Sequence, residues 1–128
     1  MEANRVQDGG EVLDRREIGR RGEEIAAAFL ERNGLDIAER NFHCRWGEVD
    51  LVAVDLSAVH FVEVKTRTGT AYGTPAAAVT YTKQQRIKKT ALIWLQNQER
   101  YFSGIFFDVV EVYVVGKTAK IRWLQHCF

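Results

Sequence analysis

Gly47-Glu48-Val49-Asp50-Leu51-Val52-Ala53-Val54 runs into Asp55-Leu56-Ser57-Ala58 and then into Val59-His60-Phe61-Val62-Glu63-Val64-Lys65-Thr66. Two apolar runs around a short polar turn predict an antiparallel hairpin, with strands over Gly47 to Val54 and Val59 to Thr66. Successive strand side chains point to opposite faces, so Phe61, Glu63 and Lys65 share one face and Val62 and Val64 the other. The same alternation groups Glu48 with Asp50. If Asp55 faces Ala58 across the turn, Asp50 faces Glu63 and Glu48 faces Lys65. Two carboxylates directly opposite each other disfavour a sheet by about 0.2–1 kcal/mol unless a cation or a shared proton relieves them. A divalent metal would turn that cost into a site, whereas a salt bridge among Glu63, Lys65 and Glu48 would be purely structural.

Outward from the hairpin the pattern is equally regular. From about Arg15 to Arg32, Ile18, Ile25, Ala26, Phe29 and Leu30 recur at helical spacing, and Asn33-Gly34 supplies a left-handed stop. Glu23 lies beside Leu30 at the border of that apolar arc, while Glu24 points to solvent. A strand over about Asp36 to Phe42 precedes the hairpin. After a Gly/Thr/Pro loop around Gly69 to Pro75, Thr82-Lys83-Gln84-Gln85 reads as a capping box for a helix reaching about Gln98. Ile87, Ala91, Trp94 and Leu95 form its buried arc; Lys83, Arg86 and Lys89 share the opposite one, and Lys88 snorkels from near the core. Two strands, Phe106 to Val115 and Ala119 to Leu124, joined at Gly116-Lys117, complete the order helix, three strands, helix, two strands. Residues 1 to 13, polar and containing Gly9-Gly10, read as a flexible tail ahead of a single domain over 14 to 128.

Composition narrows the function classes. An apolar fraction of 46% with one proline in 128 residues excludes a disordered or repetitive chain. No run approaches the roughly 18 apolar residues of a membrane span, and the first residues do not form an export signal. A cytoplasmic protein with no membrane partner is expected, its Cys44 and Cys127 suiting a reducing compartment. Net charge is only +1, so any nucleic-acid contact must come from local clusters. The pairs His43-Cys44 and His126-Cys127 invite a zinc reading, but strand neighbours point to opposite faces, so neither pair easily supplies two ligands. Trp46 beside Arg45 has the chemistry to stack on an unpaired base, although core or interfacial packing is the commoner use of a tryptophan.

A Glu-x-Lys triplet alone says little, since 11 Glu and 6 Lys make about half of one expected by chance. Its context is more specific. Gly19-x-x-Gly22-Glu23-x-x-Ala26, Arg40-Asn41-Phe42, Gly47-Glu48-Val49-Asp50-Leu51, Phe61-Val62-Glu63-Val64-Lys65-x-Arg67, Gly73, Pro75, Lys83 with Arg86, and Phe107-Asp108-Val109 together resemble the YraN-like family of bacterial proteins. That family is similar to the PD-(D/E)XK nuclease superfamily, especially to archaeal-type Holliday junction resolvases. The resemblance spans about residues 15 to 128. It implies a restriction-endonuclease-like α/β fold, an αβββαβ core with a central mixed sheet flanked by helices. Asp50, Glu63 and Lys65 match the signature triad, and Glu23 matches an acid on the first helix. Val49 replaces the proline of the superfamily's name, and Phe106 stands where relatives usually carry arginine.

The implied activity is Mg²⁺- or Mn²⁺-dependent hydrolysis of DNA phosphodiesters, with branched or structured DNA as substrate. A binding module that keeps the fold without turnover is the alternative. Mg²⁺ takes octahedral oxygen ligands, usually one or two carboxylates with waters and a substrate phosphate. Asp50, Glu63 and the carbonyl of Val64 are the implied ligands, and Lys65 would position or deprotonate the attacking water. Glu23 would hold a metal-bound water or a second ion, with Glu48 supporting from behind. Lys83, Arg86, Lys89, Arg67 and Arg45 are the candidate contacts to nucleic acid. Paired cuts in a four-way junction suit a homodimer; the apolar run Ile121, Trp123, Leu124 and Phe128 is a candidate interface or, equally, a run that packs inside one subunit.

Overall fold

The computed structural model describes residues 5–8, 11–68 and 79–128, the part before residue 15 by its main chain alone. The Gly69 to Pro75 loop, with Gly73 and Pro75, lies outside the described residues. Within the stretch read as a tail, β1 (Arg5–Asp8) and β2 (Glu11–Asp14) pair as an antiparallel ribbon. Helix α1 (Arg15–Arg32) leads into β3 (Asp36–Cys44), β4 (Gly47–Val54) and β5 (Ala58–Thr68); α2 (Tyr81–Gln96) precedes β6 (Gly104–Val115) and β7 (Thr118–Leu124).

The five longer strands form one sheet in the order β3-β4-β5-β6-β7, with β5 and β6 parallel and the other neighbours antiparallel. The α/β architecture is the expected one, a mixed sheet with a helix on each face, consistent with a restriction-endonuclease-like core. On one face α2 lays Ile87, Ala91 and Trp94 over Val52, Val54, Val59, Phe61 and Val109. On the other, α1 lays Ala26, Ala27 and Leu30 over Leu51, Ala53, Val62, Val110 and Val112. The central strands are therefore buried on both sides, which is why β4 reads as nearly continuous apolar sequence.

Local chemistry sets the joins. Asp55 accepts hydrogen bonds on Oδ1 from the Ser57 and Ala58 amides at 2.9 and 2.7 Å, closing the β4–β5 turn in the expected register. Gly34, at φ +91°, ends α1. Helix α2 opens two residues earlier than the capping box suggested: Thr80, extended at φ −67° and ψ 162°, accepts from the Lys83 amide, and Thr82 falls inside the first turn.

The C-terminal run is used inside the subunit. Ile121 and Trp123 join the α1-side cluster, while Leu124 and Phe128 pack on the α2 side. These residues thus pack, partly buried, against the protein's own core. Asp108, fully buried, accepts from Trp123 Nε1 at 2.9 Å and the His126 amide at 2.9 Å, and lies 2.6 Å from His60 Nδ1. This knot fastens β5, β6 and the C-terminal segment on the α1 side, and gives His60 a structural role.

Candidate active site

The β4–β5 ladder stops at Leu51–Val62. Beyond it β4 stays paired with β3 as far as Cys44–Gly47, and β5 stays paired with β6 as far as Thr68–Val114. The two strands fork, and the charged residues sit in the fork. Asp50, first past the last rung, accepts a hydrogen bond from the Val64 amide on Oδ2 at 2.8 Å, so its side chain takes over a ladder position.

Alternation breaks here, contrary to the grouping of Glu48 with Asp50. Val49 and Val52 lie in the same core cluster and Leu51 in the other. The break coincides with Asn41 at φ +51°, which a regular register would set against Asp50. Glu48 is exposed, pairs with His43 on β3, and does not face Lys65 across the ladder.

The fork brings Asp50 and Glu63 together as expected. Burial first, and then the adjoining Glu63 carboxyl, push Asp50 up to about 8, the two groups being close enough to share a proton. Glu23 reaches the same place from α1: burial raises its pKa, Asn41 partly offsets this through a hydrogen bond, and the charges of Glu48 and Glu63 raise it further. Lys65 is held below the ordinary amine range by burial and by neighbouring Lys83. Burial also works against the charge on Lys83, but contact with Glu63 outweighs it and raises that pKa.

Lys83 was expected on an outward arc with Arg86 and Lys89. Its Nζ instead lies 2.5 Å from Glu63 Oε2, because the first turn of α2 stands over the mouth of the fork. Arg86 and Lys89 are exposed, as expected. Arg45 and Lys89 both lie over the Trp46 ring, at 4.7 and 4.6 Å from its centroid. Arg67 turns toward Glu111, with Nε 3.7 Å from Oε2.

Sequence reasoning passed over Glu111. It is fully buried beside Lys65 in the parallel β5–β6 pairing and accepts from Tyr113 OH at 2.8 Å. Its signal was present: a single acid inside Val109-Val110-Glu111-Val112-Tyr113, the same interruption that marked Glu63.

Among the described residues, no three His, Cys, Asp or Glu side chains converge as a ready-made metal cage. The donor set is a carboxyl pair, with Glu23 approaching from the other side. Such a set fits a hard cation that takes its remaining oxygens from water and a substrate phosphate. A cation between Asp50 and Glu63 would also relieve the repulsion that, after burial, raises the Asp50 pKa.

Residues 22–112 match the family described as "Uncharacterised protein family UPF0102". The chain belongs to that family. A UPF0102 protein of Nocardia farcinica is 52% identical over 101 residues, covering 79% of this chain and 80% of the relative. One from Rhodococcus opacus is 47% identical over 112 residues, 87% and 95% of the two chains. One from Geobacter metallireducens is 43% identical over 116 residues, 91% and 95%. The UPF0102 match runs from Gly22, next to Glu23, through both strands of the fork and α2 to just past Glu111.

Proposed function

We propose that this UPF0102 chain is a metal-dependent DNA endonuclease that hydrolyses phosphodiester bonds in branched or structured DNA. The observation that carries the reading is the Asp50–Glu63 carboxyl pair in the strand fork, with Lys65 beside it shifted toward its neutral amine. Asp50, Glu63 and the Val64 carbonyl would hold Mg²⁺ or Mn²⁺, which when bound neutralises phosphate charge and acidifies water. Lys65, with its lowered pKa, is suited to take a proton from the attacking water or to follow charge as it develops on the phosphate. Glu23 orients water from the α1 side. Lys83 shields Glu63 in the free protein and can turn to a substrate phosphate. Arg86, Lys89 and Arg45 meet the flanking backbone. Paired cuts would call for two sites in a homodimer.

The close Lys83–Glu63 ion pair also favours a second reading, a nucleic-acid-binding module in which an ammonium stands in for the metal. One assay separates the two. Branched, flapped, single-stranded and duplex DNA are incubated with Mg²⁺ or Mn²⁺ and with EDTA. The endonuclease cuts only with metal, and Asp50→Asn or Glu63→Gln lowers cleavage by at least about 100-fold while DNA binding persists or tightens. Cleavage by both variants at the parent rate overturns the site assignment; binding without cleavage by the parent protein supports the module.

A further inference from the structure

Next to the fork lies a cleft of about 700 Å³ whose lining includes Arg45, Trp46, Tyr81, Arg86 and Lys89 and, among the described residues, no acidic one. Two of its aromatic side chains are open to solvent. Trp46 is 39% exposed and Tyr81 74%, whereas Trp94, in the core, is 3% exposed. Trp46 sits in the β3–β4 turn, where its amide donates to Cys44 Sγ at 3.4 Å. A smaller cleft shares Gly47, Thr82 and Arg86 with the first and continues to Glu48 and Lys83. Lys83 in turn touches Glu63, so the aromatic cleft opens toward the carboxyl pair.

We propose that this cleft holds an unpaired nucleotide of the DNA substrate, its base stacked on Trp46 and its phosphates met by Arg86 and Lys89, and that this stacking makes the protein prefer single-stranded or branched DNA to blunt duplex. For its substrate the proposal rests on the nuclease reading. Charge selects a polyanion: among the described residues, three cations line the cleft without a carboxylate. The exposed rings select a base, because the faces of bases inside a duplex are covered by their neighbours while an unpaired base offers its own. Arg45 and Lys89 already use the Trp46 ring as a cation–π partner. A base arriving there displaces one of them toward a phosphate, an exchange of an exposed cation–π contact for a stronger stack and a charge pair.

The test is equilibrium binding of the full chain in EDTA, where no cleavage occurs. Its probes are a thymidine oligonucleotide, an abasic oligonucleotide of equal length, a flapped duplex and a blunt duplex. The parent protein is expected to bind the thymidine strand about tenfold more tightly than the abasic one. Trp46→Ala should weaken thymidine and flap binding by about tenfold and change blunt-duplex binding less than about twofold, with Trp46→Phe restoring most of the loss. Equal parent affinity for the thymidine and abasic strands overturns the proposal even if Trp46→Ala fails to fold. So does a Trp46→Ala loss as large on blunt duplex as on single strands, which would make the ring only a support for its cations. Asp50→Asn should retain the preference. Failure of Mg²⁺-dependent cleavage with the preference intact would count against the nuclease reading alone.

Discussion

The Asp50 carboxyl keeps its proton to about pH 8 because burial removes water from it and Glu63 stands against it. In the unfolded chain the same group ionises near its ordinary value of 3.8. Between those values the native state holds a proton that the unfolded state has released, so metal-free stability falls as pH rises through this window. Below 3.8 both states are protonated and the penalty vanishes; above about 8 it is complete. The slope for one such group reaches at most about 1.4 kcal/mol per pH unit. Urea unfolding in EDTA across pH 4 to 8 should show this decline, and Asp50→Asn should flatten it. Saturating Mg²⁺ should restore stability at the alkaline end, where the free carboxyl pair repels most.

At the scale of elements, the fork depends on how closely α1 sits on β5. A methyl group added at Gly22 would come within 1.8 Å of Thr66 Oγ1 and 2.8 Å of its Cβ, the stiff base of a β-branched side chain. Gly22→Ala should therefore push α1 off the sheet and destabilise the protein by about 1–3 kcal/mol in urea. Thr66→Ala in the same chain should recover part of that, since it removes Oγ1 but leaves Cβ. Glu23 follows Gly22 directly, so on the proposed nuclease reading the single variant should lower metal-dependent cleavage as well as stability. The hairpin itself was legible in sequence because its signal is local: a short polar turn from Asp55 to Ala58 between two apolar runs sets the register. The fork was not legible. Alternation predicts that β4 and β5 continue side by side, and nothing within either strand announces that the ladder ends after Leu51–Val62.

For the whole molecule, net charge near zero means that any electrostatic attraction to DNA has to come from placement. Arg86 and Lys89 lie on the exposed side of α2 while Lys83 is committed to Glu63. Replacing Arg86 and Lys89 together with alanine should weaken binding to all DNA sequences alike and reduce the slope of log affinity against log salt by about 1.8, two phosphate contacts' worth. Anisotropy titrations over a salt series would measure it; an unchanged slope would return this arc to a plain solvated surface. No described helix is long and apolar enough to cross a membrane.

By itself the sequence determined the element order from α1 onward, both principal helices, the β4–β5 register and the meeting of Asp50 with Glu63, because each follows from neighbouring residues and from the period of a strand or helix; the β1–β2 ribbon ahead of α1 was not among them. Tertiary structure alone decided the rest. It drew Lys83 inward onto Glu63, turned Arg67 to a buried Glu111, packed the C-terminal apolar run against both core clusters, and left Trp46 exposed under two cations. Those outcomes depend on which helix covers which part of the sheet and where two strands part. Such contacts join residues far apart in the chain, and a one-dimensional pattern does not encode their distances.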